Sequence, residues 1–189
     1  MAGQKFDLPF FSCARAETEN FMTKKLLVQA LVAASGFMLC SGVTRAEDHE
    51  VDWKALQGAK VSLEKGLGAA QKSGKPISGK FEVEDGALQL STYTASKGKY
   101  SEVIVDHKTG KVAKTEEIKE GDDLTHATAQ DKAMAAAKTS LRSAVSKAVK
   151  SNKGYRAVSA VPSLNDGKPV ATIVLQNAKG TKTVTEKLD

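Results

Sequence analysis

A chain of 189 residues, 41% of them hydrophobic, can form one or two small domains, each with a modest core. Lys and Arg number 28 against 22 Asp and Glu, a net charge of +6, but the excess is mostly lysine scattered among acids. Only Arg142 and Arg156 follow residue 46, and aromatics make up just 5% of the chain, so the clustered cations and stacking side chains of a nucleic-acid interface are missing and no such partner is expected.

Met22-Thr23-Lys24-Lys25 is a short basic start, followed by an uncharged apolar run, Leu26 to Val43, and by Thr44-Arg45-Ala46. This is the build of a secretory signal peptide cut after Ala46. A membrane anchor fits less well, because the run is close to the minimum spanning length and contains Ser35, Gly36, Ser41 and Gly42. The reading is therefore residues 1–21 as an upstream extension, with Met22 the true start, 22–46 as the signal, and a mature chain that is periplasmic or extracellular with no membrane span. Both cysteines, Cys13 and Cys40, precede the cut, so the mature chain is expected to carry no disulfide and no cysteine-held metal. Leu39 and Phe37 do not suit a lipid-attachment site at Cys40.

Trp53 to Lys72 has apolar residues at Trp53, Leu56, Leu63, Leu67 and Ala70. Their spacing predicts one amphipathic helix, capped by Asp52 and stopped by Ser73-Gly74. Trp53 is expected as a packed anchor at its start. Strands are predicted over 77–84, 87–95, 99–106 and 111–117. Phe81, Val83, Leu88, Leu90, Val103 and Val105 should point inward, and Lys80, Glu82, Glu84, Gln89 and Glu102 toward water. Asp85-Gly86, Ser96-Lys97-Gly98 and His107 to Gly110 are the turns, since glycine tolerates the positive φ of a tight hairpin. Gly79 suggests a bulge or a close approach. Glu116 to Asp123 is an acidic connector ending in an aspartate cap, Asp122 or Asp123.

Leu124 to Lys150 predicts a second, alanine-rich helix with Met134, Ala137, Leu141, Val145 and Ala148 on one face, ended by Ser151 to Gly154. Strands follow over 155–164, 168–176 and 181–187, with turns at Asn165-Asp166-Gly167 and Asn177–Gly180. Val170 to Leu175 should be the most buried strand of this part. Ser62 and Ser143, and Asp85-Gly86 and Asp166-Gly167, lie 81 residues apart; Lys97-Gly98 and Lys179-Gly180 lie 82 apart. Recurrent spacing with the same element order predicts an internal duplication. The expected fold is α+β: two tandem repeats, 47–121 and 122–189, each an amphipathic helix packed on a small antiparallel β-meander.

Tyr100 to Asp106, followed by Thr109-Gly110-Lys111-Val112 after a helix and an Asp-Gly hairpin, resembles the PepSY domain. The likeness covers 53–117 well and 138–189 less well, since the second copy stops without the closing motif. It implies a small exported α+β module that binds a protein partner, restraining a peptidase or contacting another envelope protein. No catalytic residue is carried over, because Asp106 and Thr109-Gly110 read as turn formers.

An enzyme is not expected. His49, His107 and His126 lack the spacing of a metal or hydrolase site, and no nucleophile elbow or phosphate loop occurs. His107 reads as an exposed turn residue. The sequence therefore assigns no catalytic, cofactor-binding or metal residue and no cofactor. The alternative function is a periplasmic carrier of a small ligand or metal ion, using Glu116–Asp123 or a cleft between the repeats. A purely structural envelope protein is a third.

Overall fold

The computed structural model describes residues 51–189. The signal, the upstream stretch, both cysteines and His49 lie outside the described residues. The chain runs α1 (Trp53–Gln57), α2 (Leu63–Ala70), β1 (Lys75–Glu84), β2 (Ala87–Ser96), β3 (Lys99–Val105), β4 (Val112–Ile118), α3 (Gly121–Ala136), α4 (Leu141–Ser151), β5 (Arg156–Asn165), β6 (Lys168–Asn177) and β7 (Gly180–Lys187). The seven strands form one antiparallel sheet in the order β4-β3-β2-β1-β5-β6-β7, so the class is mixed α+β.

Turn chemistry sets the hairpins. Asp85 and Gly86 have φ of 50° and 76°, and Asp166 and Gly167 have 49° and 75°. These pairs match a two-residue turn whose twist suits the flanking strands. Lys97 and Gly98 do the same at 52° and 77°. The turn between β6 and β7 differs: Asn177 pairs with Gly180, and the Asn177 side chain accepts from the Lys179 amide at 2.8 Å. Gly98 lies inside its turn while Gly180 closes one, so Lys179-Gly180 does not occupy the position of Lys97-Gly98.

Each helix predicted as continuous is broken in two. Between α1 and α2 the amides of Lys60 and Val61 both donate to the His107 carbonyl at 2.9 Å. Ser62 then caps α2 by accepting from the Lys65 amide. Between α3 and α4 the amides of Lys138 and Thr139 donate to the Leu188 carbonyl at 2.7 and 2.8 Å, and Ser140 caps α4 from the Ser143 amide. The capping serines are thus Ser62 and Ser140, and Ser143 is the residue that donates to a cap. Asp52 caps α1 as predicted. Neither Asp122 nor Asp123 caps α3; Glu120 holds that position with no side-chain bond, and the aspartates sit in the first turn.

Leu63 and Leu67 of α2 lie over Gly79, and Gly66 lies against Leu90. The bulge falls at Ile77, between Pro76 and Ser78, and Gly79 provides the close approach. A second bulge falls between Ala157 and Ser159. Leu141, Ala144, Val145 and Ala148 are the buried side of α4, and Ala171, Ile173 and Leu175 are the buried face of β6. Thr172 of β6 is exposed, so that strand alternates instead of being covered on both sides. Val83, predicted to point inward, is 51% exposed because the β1–β2 tip extends past the packed layer. The two meanders meet along β1 and β5, where Gly79 pairs with Ala160 and Lys80 with Ser159.

Candidate interaction surface

Among the described residues the sheet has two free margins, and their sequences differ. β4 reads Val-Ala-Lys-Thr-Glu-Glu-Ile and is exposed along six of its seven residues. Its charges are paired, Lys114 with Glu116 at 2.8 Å and Glu117 with Lys99 at 3.0 Å. Charged edges of this kind oppose the addition of another strand. At β7, by contrast, Thr181, Thr183 and Thr185 alternate on one face, opposite Gln176, Val174 and Thr172 of β6. Lys182, Val184 and Glu186 occupy the other face.

β7 is also held firmly. The Lys182 ammonium donates to the Asn152 side chain at 2.7 Å, and Glu186 pairs with Lys147 of α4 at 2.7 Å. Just beyond it, buried Leu188 donates its amide to the Pro169 carbonyl at 3.0 Å while its own carbonyl takes the two α3–α4 linker amides. A β-branched edge fixed in advance loses little freedom when a further strand adds.

Away from α2, the sheet carries a polar network on its other face. Ser78 donates to Gln130 of α3 at 2.6 Å, and Tyr100 reaches Asp131 at 3.4 Å. Lys80 pairs with Glu82, and its ammonium stands 5.9 Å from the centre of the Tyr93 ring. Tyr93 donates to Glu102 at 3.4 Å. Lys80, Glu82, Gln89 and Glu102, predicted to face water, are instead half-buried in this network. Burial first, then the Glu102 and Glu82 charges, push the Tyr93 phenol far above its ordinary range. Burial likewise raises the Glu102 carboxyl, against a hydrogen bond from Ser91 that lowers it.

Two basic side chains reach across the molecule. Arg156, at the start of β5, donates to the carbonyls of Leu56 at 2.8 Å, Ala59 at 3.0 Å and Val61 at 3.3 Å. Lys75, at the start of β1, donates to the Met134 carbonyl at the end of α3 at 2.7 Å. Gln176 adds a bond to the Val51 carbonyl. Sequence reasoning assigned none of these roles. The available signal was that Lys75 and Arg156 lie 81 residues apart, the spacing of the two Asp-Gly turns.

Asp106 is a turn former: its side chain accepts from the amides of Lys108 at 2.7 Å and Thr109 at 3.0 Å, which hold its carboxyl below the usual range. Gly110 takes the left-handed position at φ 77°. His107 is half-buried, not an exposed filler, and its backbone carbonyl anchors the α1–α2 linker. His126 is exposed on α3, and Trp53 packs half-buried against the core. The acidic run Glu116 to Asp123 is divided between β4 and the first turn of α3. Among the described residues no group of three His, Cys, Asp or Glu is placed to hold a metal, and no helix is long and apolar enough to cross a membrane. No family model, curated protein or solved structure matches this chain.

Proposed function

We propose that this chain is an exported binding module of the PepSY type, built by duplication, which contacts a peptidase or another cell-envelope protein through the free margin of β7. The observation that carries this reading is a preformed edge strand rich in threonine, open on one side, opposite a β4 edge blunted by paired charges. An extended segment of a partner would add to β7 as an eighth strand, with main-chain bonds supplying affinity.

Duplication is supported by recurrent devices. In each half one helix precedes a serine-capped one, though α1 has 5 residues and α3 has 16, and two linker amides share one carbonyl just past the third strand of the meander, His107 or Leu188. The bulges at Ile77 and Val158 stand 81 residues apart, and Gly79 pairs with the residue 81 positions on, Ala160. The cap serines stand 78 apart because α4 has 11 residues against 8 in α2, while the loop to the next strand keeps its length. The acidic run Glu116–Asp123 gives the carrier reading no site, because it is divided between β4 and α3.

The test is a mixing assay with a panel of envelope peptidases. The chain should slow cleavage by at least one of them, and Thr183→Pro, which places a residue without an N–H in the edge, should abolish the effect with little change in melting temperature. An unaffected panel removes the peptidase reading.

A further inference from the structure

We propose that the groove beside α4 is a binding site for a phosphate-bearing anion. It has a volume of about 580 Å³ and is lined by Gln71, just past α2, and by Arg142, Ser143, Ser146, Lys147 and Lys150 of α4. That volume falls among those of small-ligand sites. The site adjoins β7, whose Glu186 pairs with Lys147.

The sequence of α4, Leu-Arg-Ser-Ala-Val-Ser-Lys-Ala-Val-Lys-Ser, contains no acid. With Leu141, Ala144, Val145 and Ala148 turned to the core, the remaining positions fall on two outer ridges. Arg142, Ser146 and Lys150 follow one another at steps of four, and Ser143 and Lys147 do the same alongside. A helix surface serving only solubility would interleave glutamate with lysine at this spacing. Here hydroxyls alternate with cations, so donors of both kinds line the groove.

Arg142 has a prepared seat. Its guanidinium lies over Gly68 of α2, with Nη1 3.2 Å from where a Cβ would stand. Glycine at that position lets the planar fork lie down toward the groove. Arg142 and Lys150 have no hydrogen-bond or ion-pair partner among the described residues, whereas Lys147 is held by Glu186 at 2.7 Å. The contrast with Arg156, which is occupied by three carbonyls, is direct. A guanidinium fork matches phosphate oxygens in pairs, and Lys150, two turns further along α4, adds a second unpaired charge to the groove. The N-terminus of α4, at Ser140, adds its positive pole.

A phosphoryl group of this kind comes from a free phosphorylated solute or from a lipid headgroup, and two probes separate them. The full chain is titrated with inorganic pyrophosphate by calorimetry, and with vesicles of phosphatidylglycerol or of phosphatidylcholine by sedimentation. Arg142→Gln/Lys150→Gln is compared with Lys168→Gln/Lys179→Gln, which removes the same charge at exposed positions elsewhere. Gly68→Ala retains every charge but makes the Arg142 guanidinium shift by a few tenths of an ångström on its seat. Binding of pyrophosphate or of the anionic vesicles is expected to weaken about tenfold in the first double variant, and measurably in Gly68→Ala, while the second double variant stays near the parent. Pyrophosphate binding identifies a solute site, and anionic vesicles alone a headgroup site. Binding of neither probe overturns the proposal, as does an equal loss in both double variants.

Discussion

Glu102 illustrates how one side chain can cost stability near neutral pH. Burial raises its carboxyl pKa, so the folded chain holds that proton to a higher pH than the unfolded chain does. The folded state is therefore favoured in acid, and this contribution fades as pH rises from the ordinary glutamate value through the folded one. Glu102→Gln retains an acceptor for Ser91 without a charge to desolvate. Its melting temperature should exceed that of the parent at pH 7 to 8, and the difference should close as the pH falls to about 4. Thermal melts across that range check the sign. Asp106 has the opposite sense, because the amides of Thr109 and Lys108 favour its charged form.

At the scale of elements, short helices depend on their ends. α2 has eight residues, too few to persist alone, and includes two glycines that lower its propensity. Removing its cap with Ser62→Ala should lower stability by about 1 kcal/mol, and Ser140→Ala should do the same for α4. Denaturant titrations with an unchanged m-value would show both. Strands and hairpin turns were legible in the sequence because a strand announces itself locally: alternation gives the face, and Asp85-Gly86 or Asp166-Gly167 gives the reversal. Helix breaks were not. The periodicity of Trp53 to Lys72 runs on across Gly58 to Val61, and what interrupts it is a carbonyl at His107, far along the chain. The α4 groove was not legible, because its serines and lysines read as an ordinary exposed face until Gly68 is seen beneath Arg142.

For the whole molecule, the main question is what joins the two meanders, since only Gly79↔Ala160 and Lys80↔Ser159 are in register between them. A shared core holds them, with Leu67 and Phe81 in one cluster with Val145 and Ile173, and Arg156 and Lys75 add polar ties between the halves. Arg156→Met would leave three carbonyls without their charged donor, and a loss of about 2–4 kcal/mol is expected. Lys75→Met affects a single carbonyl and should cost about 1 kcal/mol. Arg156→Lys should fall between, because an ammonium cannot span three acceptors as the fork does. Equilibrium unfolding of the three variants orders them.

The antiparallel sense of the β1–β5 seam also governs crowding. It makes β4 and β7 run in the same direction at opposite sides of the sheet. Copies queued head to tail, with their α2 and α4 layers aligned, would therefore have to join in parallel, the weaker kind of ladder, and against the charges of β4. A parallel seam would have reversed one margin and opened the way to endless fibres. As built, the two margins are poorly matched to one another, and head-to-tail growth of the sheet is opposed.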